Sequence, residues 1–501
     1  MLRRFSSTSR PVITLARGDG IGPSLSDAVV HCLKASGAQL DIQEVSVGEQ
    51  AYLAGHSSGI PPSAWDTIRR NKVLLKGPIT TPQGSGYKSL NVSLRKTLGL
   101  YCNMRPVVAV SPAIPTRFPD MDVVIIRENE EDLYAGIEHR QTQQVIQCLK
   151  LITQPGCERI VRYAFDYAKK NNRKKVTCMV KDNIMKATDG LFTRVFREVG
   201  EQYPEIQQDV MIIDIGAARL ANNPTAFDVI VTLNLYGDII SDIAAEISGS
   251  VGIGASANIG ATHAMFEAVH GSAPTIAGKN IANPSGMLLS SVMMLNHLGQ
   301  ADVASRLHNA WLATVESGIR TVDIAESKDK AVGTREFAAA VAKNSELEML
   351  PRVLKPLKYS GAALSPDSTS SRPSLFSDRA ALPSAKLQKK ELMGVDIFVE
   401  YTNGTPSDLA NILTSSTTTC KDVGLKLITN RGVKVWPDGY PETFTVDHWR
   451  CRFRSMDNSP LPYAQVVKLL ECLASRGVDV IKTENLYFFD GKPGFSMGQG
   501  E

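Results

Sequence analysis

The 501-residue sequence lacks the features that would assign it to several specialised classes. It has no apolar stretch of about eighteen residues, the length that a transmembrane helix needs. No basic run is interleaved with aromatic residues, and the formal net charge is only +4, so we expect neither a nucleic-acid partner nor a membrane partner. Hydrophobic residues make up 43% of the chain and charged residues 21%, which is typical of a globular protein.

Cysteine spacing excludes the common zinc and redox motifs. The cysteines are scattered, without C-x-x-C pairs, at Cys32, Cys102, Cys148, Cys157, Cys178, Cys420, Cys451 and Cys472. The simplest interpretation is a reducing compartment, in which each thiol is a small core residue or a surface residue.

Acidic residues are absent from the N-terminal segment, which carries Arg3, Arg4, Arg10 and Arg17 together with several serines. This composition is typical of a mitochondrial transit peptide, whereas a secretory signal would need a continuous apolar core. We therefore expect residues 1–10 to be a transit peptide or a disordered start, and the protein to be located in the mitochondrial matrix.

Apolar, β-branched runs alternate with amphipathic segments along most of the chain, which favours a layered α/β fold. Strands are predicted at Pro11–Leu15, Lys72–Leu75, Met121–Ile126, Val176–Val180 and Val210–Asp214. Helices are predicted at Pro23–Ser36, Glu158–Lys170 and Leu191–Glu201. Residues 359–386 are rich in Ser, Pro and Ala without periodicity, which indicates a linker before a C-terminal α+β domain at 387–501.

Two carboxylates follow an apolar run in the segment from Asn234 to Asp242. If a helix begins near Gly237, Asp238 and Asp242 share one face and form half of a site for a hard cation. Such oxygen ligands suit Mg²⁺ or Mn²⁺ better than zinc. On spacing alone, the commoner explanation is a solvated helix face or a charge that favours the helix dipole.

Further motifs surround this pair. They are Leu90-Asn91-Val92-Ser93-Leu94-Arg95, Arg105, the run from Ile125 to Gly136, His270-Gly271-Ser272-Ala273-Pro274 and Asn283-Pro284. In this order and spacing, over residues 11 to 350, they resemble the metal-dependent decarboxylating dehydrogenases that include isocitrate and isopropylmalate dehydrogenase.

The resemblance implies that family's α/β fold. A large domain would comprise residues 11–100 and 250–358 with the cofactor loop, and a small domain would comprise 101–249 with a dimer clasp and the metal ligands. The turn Gly18-Asp19-Gly20-Ile21-Gly22-Pro23 follows a strand as a dinucleotide-binding fingerprint does, but its spacing and its proline do not match. The resemblance implies a cofactor site that is not of the Rossmann type, with this turn in the wall of the active-site region.

The substrate carboxylates are assigned by resemblance to arginines, whose planar guanidinium matches a carboxylate in charge and shape. The implied substrate-binding residues are Ser89, Asn91, Arg95, Arg105 and Arg127. The segment from Ser89 to Asn91 favours isocitrate, with homoisocitrate or isopropylmalate as alternatives. The implied reaction transfers a hydride from C2 to a nicotinamide and then releases the β-carboxylate as CO₂.

Tyr134 and Lys181 are the catalytic residues that the resemblance implies for the proton transfers. We expect the nearby cations and the metal ion to lower the pKa of both from near 10. Asp214 is implied as a third metal ligand beside Asp238 and Asp242. Lys181 and Asp214 would reach into the neighbouring subunit's site, so we expect a homodimer or a higher homo-oligomer with shared active sites.

The cofactor-binding residues implied by resemblance are Thr80, His270, Gly271, Ser272, Ala273, Pro274, Thr275, Ile276 and Asn283. NADP-using members of the family carry Lys and Tyr where this chain has Thr275 and Ile276, and Asn223 and Ile324 also replace possible phosphate donors. We therefore expect NAD, although NADP stays possible because Thr275 has no charge to repel a 2′-phosphate and Lys328 could approach one.

One alternative belongs to another class: a non-catalytic regulatory subunit of a hetero-oligomeric dehydrogenase. Such a subunit should have lost some of the implied catalytic and metal-binding residues, and none is missing. We therefore expect a mitochondrial, NAD-dependent enzyme that acts on isocitrate, whose C-terminal domain mediates subunit contacts.

Overall fold

A computed structural model describes residues 10–81, 89–361, 364, 388–416, 420, 422–440 and 442–498. The chain divides into two compact units, one formed by residues 1–135 and 150–372 and the other by residues 136–149 and 373–501. The predicted transit peptide lies outside the described residues except for Arg10, and the predicted linker lies outside them except for residues 359–361 and 364. The finer division of residues 11–358 into a large and a small domain stays a prediction.

The described residues up to 268 contain these strands: β1 (Val12–Ala16), β2 (Asp41–Val45), β3 (Val73–Lys76), β4 (Cys102–Val108), β5 (Asp122–Glu128), β6 (Glu138–Arg140), β7 (Ile146–Cys148), β8 (Lys175–Val180), β9 (Gln207–Ile212), β10 (Val229–Thr232), β11 (Ala255–Ile259) and β12 (Ala264–Ala268). All except β6 and β7 form one sheet of the first unit, in the order β2-β1-β3-β12-β11-β4-β5-β10-β8-β9. Most neighbours are parallel, whereas β4 runs antiparallel to both β5 and β11.

The helices of this unit are α1 (Gly22–Ala35), α2 (Glu49–Leu53), α3 (Pro62–Asn71), α4 (Leu90–Thr97), α5 (Gln154–Lys170), α6 (Thr188–Gly200), α7 (Ile213–Asn222), α8 (Asn234–Ile247), α9 (Ser285–His297), α10 (Ala301–Glu316) and α11 (Thr334–Glu346). No helix in the described part of the chain is long and apolar enough to cross a bilayer.

Central strands of the large sheet are buried from end to end, as all four residues of β10 and all four of β3 show. Near-continuous apolar strands of this kind are typical of a mainly parallel sheet covered on both faces by helices. The first unit is therefore of the predicted α/β class. One boundary differs in a way that bears on function: Asp214, predicted at the end of a strand, lies in the first turn of α7.

The second unit consists of the β6–β7 hairpin, β13 (Lys390–Glu400), α12 (Pro406–Ser416), β14 (Val423–Asn430), β15 (Val433–Trp436), β16 (His448–Ser455), α13 (Tyr463–Ser475), β17 (Val480–Phe489) and β18 (Lys492–Pro493). Its six-stranded sheet has the order β15-β14-β16-β13-β17-β18. The four longest strands and the two helices form a split β-α-β arrangement, which confirms the predicted α+β class.

The β6–β7 hairpin, assigned from the sequence to the small domain, groups with this second unit. The hydroxyl of Thr142 at its tip donates to Oδ1 of Asp447 at 2.6 Å, and both residues are buried. The amide of Asp447 in turn donates to Oε1 of Gln144 at 3.3 Å. The hairpin is therefore anchored to the segment that leads into β16.

Candidate functional site

Asp238 and Asp242 lie one turn apart on α8, as the spacing predicts. The helix begins at Asn234, before the predicted start at Gly237. Arg127, which is fully buried near the end of β5, holds the first turn of this helix. Nε of Arg127 donates to the carbonyl oxygen of Asn234 at 3.0 Å, and Nη2 donates to Oδ1 of the same residue at 2.8 Å. Only glycine fits at 237, because a Cβ there would lie 2.5 Å from Cγ of Arg127.

Two predicted substrate arginines converge on these carboxylates. Nη1 of Arg127 hydrogen-bonds to Oδ1 of Asp238, and Nη2 of Arg105 lies 3.5 Å from the same oxygen. Nη1 of Arg105 lies 3.6 Å from Oδ1 of Asp242. Burial opposes the ionisation of Asp238, but the two guanidinium groups outweigh it and lower its pKa. Burial raises the pKa of Asp242, which Arg105 offsets only in part.

The hydroxyl of Tyr134 donates to Oδ2 of Asp238 at 2.5 Å, and the guanidinium of Arg127 lies 5.1 Å from its ring centroid. The protein's own side chains raise the pKa of Tyr134, whereas our expectation of a lowered pKa was for the site with its metal ion. Burial raises the pKa, and the hydrogen bond to the Asp238 carboxylate raises it further, because both favour the protonated phenol.

Arg95 takes part in a buried charge triad that the sequence analysis missed. Its Nη2 lies 2.9 Å from Oε1 of Glu267 on β12, and Nζ of Lys76 lies 2.8 Å from Oε2. Burial opposes ionisation of Glu267, but the two cations outweigh it and hold its pKa well below the usual range. The sequence feature that could have indicated this triad is Lys76, a charged residue that ends the otherwise apolar strand β3.

A cavity of about 210 Å³ collects many of the predicted residues. Its lining is Lys76, Pro78, Ile79, Ser89, Asn91, Val92, Arg95, Arg105, Tyr134, Asp238, Glu267, Ala268, Val269, His270 and Gly271. Three buried polar atoms of these residues have no hydrogen-bond partner in the described part of the chain: Oδ1 of Asn91, Nε of Arg95 and Nε2 of His270. Because buried polar groups are usually satisfied, they indicate the place of a polar ligand.

The glycine turn after β1 holds two predicted cofactor residues together. The hydroxyls of Thr80 and Ser272 lie 2.7 Å apart, and the amide of Ile21 donates to the carbonyl oxygen of Ser272 at 2.9 Å. Oδ2 of Asp19, a residue without an assigned role in the sequence analysis, accepts from the amide of Thr80 at 2.9 Å. A Cβ on Gly20 would lie 2.0 Å from the carbonyl oxygen of Ser272, so the turn requires glycine.

The rest of the predicted cofactor loop turns sharply. Ala273 adopts φ +37°, and Pro274–Ile276, which includes Thr275, forms one 3₁₀ turn. Asn283 donates through Nδ2 to Oδ2 of Asp323 at 2.9 Å. Burial lowers the pKa of His270, so its ring is neutral at pH 7.

Lys181 and Asp214 do not line the cavity. Nζ of Lys181 lies 2.9 Å from Oδ1 of Asp214, and their side chains are 27% and 67% exposed. Across the described residues, no group of three His, Cys, Asp or Glu side chains could hold a metal ion. One chain therefore supplies two neighbouring carboxylates of the predicted metal site, Asp238 and Asp242, which fit a hard divalent cation in chemistry but do not complete its shell.

Known proteins resemble the chain over nearly its whole length. The family described as isocitrate/isopropylmalate dehydrogenase matches residues 12–341, and the family described as bacterial isocitrate dehydrogenase, C-terminal domain, matches residues 390–501. A Rickettsia bellii protein named isocitrate dehydrogenase (NADP) is 50% identical over 498 residues, covering 98% of this chain and 99% of its own.

Thermus thermophilus provides a second relative and a solved structure. A protein of the same name is 41% identical over 495 residues, covering 98% of this chain and 96% of its own. The crystal structure of a protein from this organism has a TM-score of 0.91 at 40% identity, covering 99% of this chain and 97% of that one.

Two predictions are wrong in the light of these relatives. The preference for NAD conflicts with full-length relatives that are named as NADP enzymes, so Thr275 and Ile276 are not a sufficient guide to the cofactor. The mitochondrial assignment conflicts with relatives that are bacterial and with a bacterial-type C-terminal domain. Composition misled here, because an arginine- and serine-rich start is not specific to import.

Proposed function

The chain belongs to the isocitrate/isopropylmalate dehydrogenase family, and we propose that it oxidatively decarboxylates isocitrate to 2-oxoglutarate and CO₂ with NADP⁺ as the hydride acceptor. The cavity of about 210 Å³ carries this proposal, because it joins Arg95 and Arg105 to Tyr134 and Asp238 beside the loop that begins at His270. The printed names of the full-length relatives support both substrate and cofactor.

Substrate recognition uses cations that are already fixed in place. Arg95 is held by Glu267 and Arg105 by the hydroxyl of Ser241 at 2.5 Å, so little side-chain freedom is lost when a carboxylate binds. Nε of Arg95 and Oδ1 of Asn91 are the buried atoms that a tricarboxylate with a hydroxyl group can satisfy. Isocitrate has both kinds of group.

Asp238 and Asp242 are the carboxylates of this chain that would hold Mg²⁺ or Mn²⁺, which would supply Lewis-acid stabilisation of developing negative charge on the substrate. Tyr134 keeps its proton because its pKa is raised, and its hydroxyl is fixed by Asp238 at 2.5 Å. We assign it the protonation of C3 after CO₂ has left, the step that needs a general acid.

Lys181 is assigned the removal of the C2 hydroxyl proton in the site of a second copy of the chain. Its ion pair with Asp214 is partly exposed, and neither residue lines the cavity of its own chain, so these side chains are available to a neighbouring protomer. Asp214 would complete the carboxylate set there. A homodimer or higher homo-oligomer is then required for catalysis.

NADP⁺ needs a donor for its 2′-phosphate, and Lys328 is the residue that we assign to it. Lys328 lies in the 3₁₀ turn Lys328–Lys330, a few residues before Thr334 and Arg335. The amides of those two residues donate to Asn280, at 3.0 and 3.1 Å, directly after the cofactor loop. The segment that contains Lys328 is thus connected to the residues that follow the proposed cofactor loop.

Initial rates with isocitrate and Mn²⁺, compared between NADP⁺ and NAD⁺ as kcat/KM, test the proposal. We expect turnover with a clear preference for NADP⁺. A preference for NAD⁺ would reject the cofactor assignment while keeping the reaction. Turnover with isopropylmalate or homoisocitrate but not with isocitrate would reject the substrate.

A further inference from the structure

Two thiols meet in the second unit. Sγ of Cys420 lies 3.5 Å from Sγ of Cys472. Cys420 follows α12 and precedes β14, whereas Cys472 lies within α13. The sequence analysis found no pairing because 52 positions separate the two residues.

We propose that Cys420 and Cys472 form a reversible disulfide when the protein meets a low-molecular-weight disulfide such as glutathione disulfide. The sulfur atoms must approach from 3.5 Å to about 2.05 Å, the length of an S–S bond. Cys420 lies outside the regular elements, whereas Cys472 is part of α13. Both residues belong to or pack against the core beneath the sheet, so the two sulfurs stay close in the folded protein.

The difference in solvent accessibility decides which thiol reacts first with glutathione disulfide. Cys472 is partly exposed, whereas Cys420 is 2% exposed. The thiolate of Cys472 attacks one sulfur of glutathione disulfide, whose S–S bond breaks and releases one glutathione thiolate. The thiolate of Cys420 then attacks the Cys472 sulfur and releases the second glutathione. Two protein thiols are oxidised, one glutathione disulfide is reduced to two thiols, and the two protein protons end on the released thiols.

The bond would fasten the segment after α12 to α13. A covalent link between residues that far apart in sequence restricts the unfolded chain and raises the unfolding temperature of the unit that contains it. The pair is thus a redox-dependent stabiliser of the second unit.

The test incubates the full chain with glutathione disulfide, alkylates the remaining thiols and analyses the digested peptides by mass spectrometry. We expect a linked peptide pair that contains Cys420 and Cys472 and that dithiothreitol separates. In the Cys420→Ser variant the reaction should stop after the first step, with a glutathione adduct on Cys472. Cys148→Ser, which removes an exposed thiol of the same unit, should leave the linked pair unchanged.

Three results would overturn the proposal: both thiols alkylated after oxidation, a persistent glutathione adduct on Cys472 in the unmodified sequence, or a linkage that requires Cys148. The thermal readout is separate. Oxidation should raise the unfolding temperature of the natural chain and leave that of Cys420→Ser unchanged, and an equal shift in both would exclude this pair as the cause.

Discussion

Nζ of Lys150 lies 2.7 Å from Oδ1 of Asp189, a carboxylate with no exposed surface. The same ammonium lies 3.6 Å from Oδ1 of the buried Asp132. Both carboxylates also accept hydrogen bonds from backbone amides at or near the proposed catalytic residues. Oδ2 of Asp189 accepts from the amide of Lys181 at 2.8 Å, and Oδ2 of Asp132 accepts from the amide of Leu235 in α8 at 2.9 Å. Lys150 therefore neutralises the charges that position β8 and α8.

Lys150→Met is expected to lower the free energy of unfolding by about 3–5 kcal/mol, because it leaves two buried carboxylates without their cation. Urea titration at fixed protein concentration measures the change. Lys169→Met is the matched control: its partner Glu205 is on the surface, where solvent screens the pair, so a much smaller loss than for Lys150→Met is expected. Equal losses for both variants would contradict the role of Lys150.

Mixing two inactive variants tests whether Lys181 acts in a neighbouring site. Lys181→Met and Asp238→Asn should each be inactive alone. In mixed dimers one of the two sites contains neither substitution, so random reassembly of equal amounts should restore about a quarter of the natural activity in a two-fold symmetric dimer. Activity is measured with isocitrate after denaturation and joint refolding.

Its control is the pair Lys181→Met and Asp214→Asn, which fall on the same side of the interface. Every mixed dimer then has one substitution in each site, so activity should stay absent. No recovery in the first pair would show that Lys181 serves the cavity of its own chain. Recovery in the control pair would show that Lys181 and Asp214 serve different sites.

Lys328→Ala should reduce kcat/KM for NADP⁺ by roughly 10- to 100-fold and leave that for NAD⁺ nearly unchanged, because a charge-assisted contact with the 2′-phosphate is worth about 1.5–3 kcal/mol. Lys330→Ala is the control, since its Nζ already pairs with Glu326 at 2.7 Å. A similar reduction with both nucleotides would show that Lys328 supports the loop and does not recognise the phosphate.

Local patterns predicted the fold class and the shared helix face of Asp238 and Asp242, whereas the other site residues were implied by the family resemblance. The alternation of apolar runs and amphipathic helices identified the α/β unit, and helical spacing put Asp238 and Asp242 on one face. Partners distant in sequence could not be predicted this way. Glu267 accepts from Arg95 across 172 positions, and nothing in either local segment signals that pairing.

Boundaries and protonation depended on tertiary context for the same reason. Helix α5 begins at Gln154, before the predicted Glu158, because the hydroxyl of Thr153 accepts from the amide of Gly156 at 3.1 Å. The pKa of Tyr134 rises because the side chain is partly buried and because its hydroxyl bonds to the Asp238 carboxylate, which the sequence placed only as a metal ligand. The cofactor prediction failed because it relied on Thr275 and Ile276, which do not decide the cofactor on their own.

His308 should make stability depend on pH. Its Nδ1 lies 2.7 Å from the hydroxyl of Tyr359, and burial lowers its pKa to about 4. The unfolded imidazole titrates near 6.5, so the unfolded state binds more protons than the folded state between pH 4 and pH 6.5. The stability that depends on a neutral His308 is therefore complete above this range and is lost as the pH falls through it. At pH 5 the loss is about 2 kcal/mol relative to pH 7.5. Urea titrations at the two pH values should show that His308→Gln loses about 2 kcal/mol less free energy of unfolding than the natural chain. His56→Gln, which changes an exposed histidine, is the control and should lose as much as the natural chain. An equal loss in all three proteins would exclude His308 as the source.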